Sequence, residues 1–236
     1  LILSDMFSFI ARKKAVKIIG GPSIILAGAG SGKTRVIIHK VLNLIQNHRV
    51  DPKSIVMITF TNKAASEMKK RIASWTGSDH TLGFVGTFHS FCAMVLRRDG
   101  EHIGVPNTFS IYDDGDQLQL IKQILKKKNP KYSPRFYLSH ISDAKNKLIS
   151  TELFLEVFSY YQAAQVADMY FYYQKELKKN NALDFDDLLM KVVELFSLQT
   201  EILKKYERKY QYLFVDEFKD TNIAQFMLTK KLAQKN

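Results

Sequence analysis

Apolar residues along this chain fall into two rhythms. Short unbroken runs, Ile24-Ile25-Leu26, Ile55-Val56-Met57-Ile58, Phe84-Val85 and Tyr212-Leu213-Phe214-Val215, read as buried strands. After the first three, apolar positions recur at three- and four-residue spacing, the mark of a helix face. The sets are Ile37, Val41, Leu44 and Ile45; then Ala65, Met68, Ile72 and Trp75; then Phe88, Phe91, Val95 and Leu96. Gly20-Gly21-Pro22 and Asp51-Pro52 are turn signals that deliver the first and second runs. Strand and helix in alternation predict an α/β fold, a parallel sheet flanked by crossover helices. In such sheets functional residues collect just past the carboxyl ends of the strands.

From about Val105 the pattern changes. Three of the five prolines (Pro106, Pro130 and Pro134) fall here, and strand-like runs give way to long amphipathic stretches. These predict helices over roughly 114–128, 151–179 and 184–198. Tyr160, Tyr161, Tyr170, Tyr172 and Tyr173 crowd the middle one, and aromatics at helical spacing are read as packing. Asp184-Phe185-Asp186-Asp187 has the form of a capping box, which suffices to explain it. The expected organisation is a sheet domain over 1–105 and 206–236, incomplete at its carboxyl end, with an all-helical subdomain over 106–205 inserted in it.

Composition narrows the class. The chain has 236 residues, 46% of them hydrophobic, and no apolar run approaches the ~18 residues of a membrane span. Nothing at the amino end resembles a signal peptide, and the single cysteine, Cys92, excludes an internal disulfide and fits a reducing, cytoplasmic setting. No Cys/His cluster has zinc spacing. The net charge is +12, and residues 1–105 hold 15 Lys and Arg against 6 Asp and Glu. That +9 excess lies with the first three strands, which points to a polyanionic partner.

The chemistry is concentrated at strand ends. Ala27-Gly28-Ala29-Gly30-Ser31-Gly32-Lys33-Thr34 follows the first apolar run and opens a helix. Small residues there let the backbone turn so that its N–H groups surround a phosphate. Lys33 supplies a charge for the β- and γ-phosphates, and the Thr34 hydroxyl suits Mg²⁺. Ala27 stands where the strict phosphate-loop pattern has glycine, and a small residue suffices. The last apolar run ends in Asp216-Glu217, two acids that complete a nucleoside triphosphate site. Asp216 is the candidate Mg²⁺ ligand, and Glu217 the group that orients and deprotonates the attacking water. Together these predict a P-loop NTPase. At the ends of the second and third runs lie Thr59-Phe60-Thr61-Asn62 and Thr87-Phe88-His89-Ser90. Aromatic rings there can stack on bases, while hydroxyls, amides and helix N-termini hold phosphates. A cap alone would also explain Thr61 or Asn62.

The motifs in this order resemble the amino-terminal half of a UvrD/Rep-type superfamily 1 DNA helicase. Ile58–Met68, Gly86–Cys92, Leu183–Leu189 and Val215–Asn222 carry the resemblance together with the phosphate loop. It implies a RecA-like parallel sheet for the P-loop NTPase, and an ATP-dependent 3′→5′ DNA helicase that uses ATP and Mg²⁺ and engages single-stranded and duplex DNA. By the same resemblance Arg35 lies near the base. Thr59, Phe60, Thr61, Asn62, Thr87, Phe88 and His89 line the single-strand path, and the inserted helices meet duplex. It further implies that a second motor domain with arginine fingers belongs to the same polypeptide. Two positions depart from the family: Arg12 stands in register with an adenine-reading glutamine, and Lys219 replaces a glutamine in the Asp-Glu motif. Lys219 could pair with Asp216 or with phosphates. Two other readings stand beside this one. One is a single-strand-binding or regulatory module with a vestigial nucleotide site; the other is a small-substrate P-loop kinase, which leaves the strand-end Thr-Phe clusters unexplained.

Overall fold

The computed structural model describes residues 13–26, 28, 31–76, 81–126 and 131–233. It divides into two compact units, one of residues 1–91, 203–220 and 232–236, the other of 92–202 and 221–231. The second unit differs from the expected insertion over 106–205: it begins at residue 92, stops at 202 and adds 221–231.

The first unit is built on a parallel sheet in the order β2-β1-β5. β1 (Ile55–Thr59) lies in the middle and is buried at every position. It pairs with β2 (Phe84–Thr87) from Val56↔Phe84 to Thr59↔Thr87, and with β5 (Tyr212–Val215) from Ile55↔Tyr212 to Ile58↔Val215. Because alternate residues of a strand face opposite ways, Ile55 and Met57 share one face. There they pack with Ile38, Val41 and Leu42 of α1 (Lys33–His48) and with Met68 and Ile72 of α2 (Asn62–Thr76). Val56 and Ile58, which point the other way, are equally buried. This is the unbroken apolar run of a strand covered on both faces. α3 (Phe88–Asp99) follows β2 directly and buries Phe88, Phe91, Val95 and Leu96, as its spacing predicts. Trp75 departs from its predicted face. It is 62% exposed in the last turn of α2 and meets His39 edge-on.

Ile24-Ile25-Leu26 is not a strand. The segment forms no ladder, and Ile24 and Leu26 are 72% and 88% exposed. A short apolar run becomes a buried strand only where a sheet edge receives it, and no described strand pairs with this one. β5 is half-buried along its length.

The second unit is mainly helical but not all-helical. β3 (Ser110–Tyr112) and β4 (Ala182–Asp184) form a two-stranded parallel ladder. Three-residue strands are too short to show a period, which is why the apolar pattern predicted helices only. Around the ladder lie α4 (Asp114–Lys126), α5 (Pro134–Asn146), α6 (Phe154–Val157), α7 (Ala163–Lys179) and α8 (Phe185–Leu198), followed by α9 (Thr200–Lys209). The long helix expected over 151–179 is two helices. Tyr170 and Tyr173 reach the core, Tyr160 and Tyr172 pack against it in part, and Tyr161 is exposed.

Charge is buried in this unit. Asp184 caps α8 by accepting from the Asp187 N–H at 2.8 Å, and the Asp187 carboxylate accepts from the Asp184 N–H at 3.2 Å. This is the expected capping box. Both carboxylates also receive the fully buried Lys145 of α5, at 2.6 and 2.8 Å, and the Tyr173 hydroxyl donates to Asp184 at 3.0 Å. Burial alone would raise Asp184 and lower Lys145; their mutual attraction outweighs it and moves each the other way. Asp187 is left with the deficit, and burial together with the Asp184 charge pushes its pKa up to about 6.

Replacing Lys145 by Met should destabilise the second unit by about 3–5 kcal/mol, because two carboxylates would lose their one buried cation. The pH dependence has a definite sign. Carboxylates whose folded pKa is raised contribute stability that is complete below the unfolded pKa and is lost as pH rises through the folded value. The loss in Lys145→Met, read by urea unfolding, should therefore be greater near neutral pH than in mild acid.

Candidate functional site

The carboxyl ends of β1, β2 and β5 lie side by side in the first unit, and the candidate residues follow from them. The helix α1 starts at Lys33, directly after Gly32, whose φ of 85° is a left-handed conformation that glycine adopts freely. Among the described residues before it, the Gly28 carbonyl gathers three donors. It accepts from the Ser31 hydroxyl at 2.7 Å, from the Ser31 N–H at 3.3 Å and from the Lys33 ammonium at 3.1 Å. Ala27, Ala29 and Gly30, also named for this loop, lie outside the described residues, as does Arg12. Arg35 is one residue into the helix from Thr34, and its Nε–H reaches the His39 ring at 3.5 Å. Lys40, one face further on, is 8% exposed; its ammonium donates to Ser23 Oγ at 3.1 Å, and burial lowers its pKa.

Thr34 and Asp216 meet. The Thr34 hydroxyl donates to Asp216 Oδ2 at 3.0 Å, although 182 positions separate them. Asp216 is held from both sides: its N–H donates to the Ile58 carbonyl at 2.9 Å, extending the β1–β5 ladder by one bond. Its Oδ1 accepts from the Glu217 N–H at 3.1 Å. Glu217 itself has φ 53° and is exposed. A left-handed glutamate directly after a strand turns its side chain out of the strand's line, toward solvent. A hydroxyl and a carboxylate sharing one point make a hard-oxygen donor set, which suits Mg²⁺. Lys219 does not pair with Asp216. Its ammonium lies 3.9 Å from the neighbouring Asp220 and is 71% exposed, because the short helical turn at 218–220 carries it outward.

The strand-end clusters divide by burial. Thr59, Thr87 and Phe88 are 3%, 8% and 1% exposed, so they do not present themselves to a ligand. Phe88 lies edge-on to Phe60, ring centres 5.7 Å apart, and therefore backs Phe60 instead of stacking on a base. Phe60 and His89 are half-buried, while Thr61 and Asn62 are exposed at the N-terminus of α2. Thr61 is the cap: its hydroxyl accepts from the Ala64 N–H at 3.1 Å. Thr87 caps α3 in the same way, accepting from the Ser90 N–H at 3.2 Å, while Ser90 Oγ accepts from the Thr87 N–H at 2.8 Å. The role of Ser90 was not singled out from the sequence, although Thr-x-x-Ser before an apolar helix is a weak capping signal. Gly86 makes room for it: a side chain at Gly86 would come within 2.6 Å of Ser90 Oγ.

In the first unit a parallel sheet with covering helices sets Thr34, on the first turn of α1, against the strand-end Asp216. The chain matches the family described as the UvrD/REP helicase N-terminal domain over residues 10–236, and it belongs to that family. It is 48% identical over 227 residues to the ATP-dependent DNA helicase PcrA of Bacillus subtilis. It is 44% identical to the protein of that name from Staphylococcus aureus and 43% to that of Staphylococcus epidermidis. Each match covers 95% of this chain, and the chain spans 31% of the length of each relative. Among the described residues no helix is long and apolar enough to cross a membrane.

The reciprocal cap at α3 is testable alone. Ser90→Ala should cost about 1 kcal/mol by leaving the Thr87 N–H without its side-chain acceptor. A shift of the urea midpoint with unchanged slope would register it.

Proposed function

We propose that this chain is the ATP-binding and single-strand-binding portion of an ATP-dependent DNA helicase that moves 3′→5′. The observation that carries the reading is the Thr34–Asp216 contact, which joins the phosphate loop to the strand-end acid. The family match and the similarity to proteins named ATP-dependent DNA helicases support it.

In this reading Thr34 and Asp216 hold Mg²⁺, which neutralises charge on the phosphates when bound. Lys33 leaves the Gly28 carbonyl for the β- and γ-phosphates, and the N–H groups at the start of α1 take the remaining phosphate oxygens. Glu217, on its outward turn, accepts the proton of the attacking water. Arg35 faces the base or sugar. Phe60 offers its ring to a base with Phe88 behind it, while Asn62, Thr61 and His89 meet the sugar-phosphate backbone. Arginines from a second motor domain of the longer polypeptide supply the last cations on the γ-phosphate, and duplex is met by the helical unit. Lys219, a cation that would disturb the site if it paired with Asp216, lies beside Asp220 instead.

Lys33→Ala should abolish most Mg-ATP and ADP binding, read by calorimetry; equal affinity in both proteins would sink the nucleotide assignment. Phe60→Ala should weaken single-stranded DNA by about 1–3 kcal/mol in an anisotropy titration. An unchanged affinity would make Phe60 a packing residue only. Steady-state ATPase of the 236 residues should be very low and barely stimulated by single-stranded DNA, since an arginine finger is worth roughly 10³–10⁵ in rate. Robust stimulated turnover would show that the catalytic cation is already present.

A further inference from the structure

A second basic site lies at the other end of the same sheet. A cleft of about 550 Å³ opens where α1 ends, where β1 begins and where α9 hands over to β5. Its walls carry His48, Arg49, Lys53, Arg208 and Lys209. Thr34, Asp216 and Phe60 sit at the carboxyl ends of these strands, whereas this cleft sits at their amino ends. The five residues of β1, at about 3.3 Å each, put roughly 16 Å between the two.

Helix C-termini attract cations, and both α1 and α9 finish here. That accounts for His48 and Arg49 on one helix and Arg208 and Lys209 on the other, but not for Lys53, which belongs to the turn before β1. The lining holds a single carboxylate, Asp51, and its Oδ1 already accepts from the Lys53 N–H at 2.9 Å. Among the described residues, Arg49, Lys53 and Arg208 form no ion pair with any carboxylate, and all three are exposed. The charge is therefore gathered without being neutralised inside the fold.

We propose that this cleft holds the phosphate backbone of a nucleic acid, as a contact separate from the strand ends. The lining favours phosphates over an acidic peptide. Its apolar part is only Val50 and Tyr212, so it lacks the desolvated pocket into which a protein partner sets an anchor residue. Cations on long side chains around an open cleft instead suit a regular row of phosphates, read without sequence preference. The site shares no residue with the strand-end path, and it stands whether or not that path binds DNA.

The test is the salt dependence of binding. Labelled single strand and labelled duplex are titrated by anisotropy across a range of salt, with wild type and with Arg49→Ala/Lys53→Ala/Arg208→Ala. Loss of three phosphate contacts should reduce the log–log slope by about 2 for single strand, or about 2.7 for duplex, and the form that shows the change is the form that occupies the cleft. Phe60→Ala should lower affinity with its slope retained, so failure of one site is distinguishable from failure of the other. Lys53→Gln alone, which leaves both helix ends intact, should lower the slope by about 0.7–0.9 should the triple variant prove unstable. An unchanged slope with both nucleic acids would overturn the proposal. So would a glutamate-rich peptide that binds wild type and loses affinity in the variant while DNA does not.

Discussion

Main-chain pairing along both edges of β1 is the constraint on which the first unit rests. With β2 on one side and β5 on the other, every residue of β1 is buried, and three strands end at one level. That level fixes where a strand-end side chain can be. Asp216 continues the ladder through its bond to Ile58, so its carboxylate is placed by the backbone before any ligand arrives. Thr34 comes to it on the first turn of a helix whose inner face is committed to Ile55 and Met57. The contact between the two is thus a result of sheet register and helix packing, each fixed by apolar burial far from the chemistry.

Periodicity made much of this legible. Runs such as Ile55–Ile58 fit strands in a doubly covered sheet, and Phe88, Phe91, Val95 and Leu96 name the buried face of their helix. The same reasoning overreached at Ile24–Leu26, because apolarity states what a segment prefers to bury and not whether a sheet edge receives it. It also merged two meanings at Thr87-Phe88, where hydroxyl and ring are equally consistent with ligand contact and with capping and core. Burial separated them: Thr87 and Phe88 serve as cap and core, while Phe60 and His89 stay half-exposed.

The buried Lys145 was the least legible residue. Tyr137, Ile141 and Ala144 mark the inner face of α5, and Lys145 lies on that face beside them. The spacing pointed a lysine inward, a placement that is acceptable only with paired acids. The partners were visible separately as a capping box that already had a sufficient explanation. A motif explained by local geometry can serve a distant group as well, and local reasoning does not see the second use.

The parallel pairing of β1 with β5 also bears on the order of folding. β1 to β2 is a local crossover, but the chain then runs from Phe88 to Gln211 before β5 can align with Ile55–Ile58. Closing so long an excursion costs about 2 kcal/mol more in chain entropy than closing one of ~10 residues. Such non-local pairing comes late in assembly. Structure formed within the excursion shortens the free chain that β5 must close. The nascent sheet therefore keeps one edge of its central strand unpaired until the intervening chain has ordered enough for β5 to reach it.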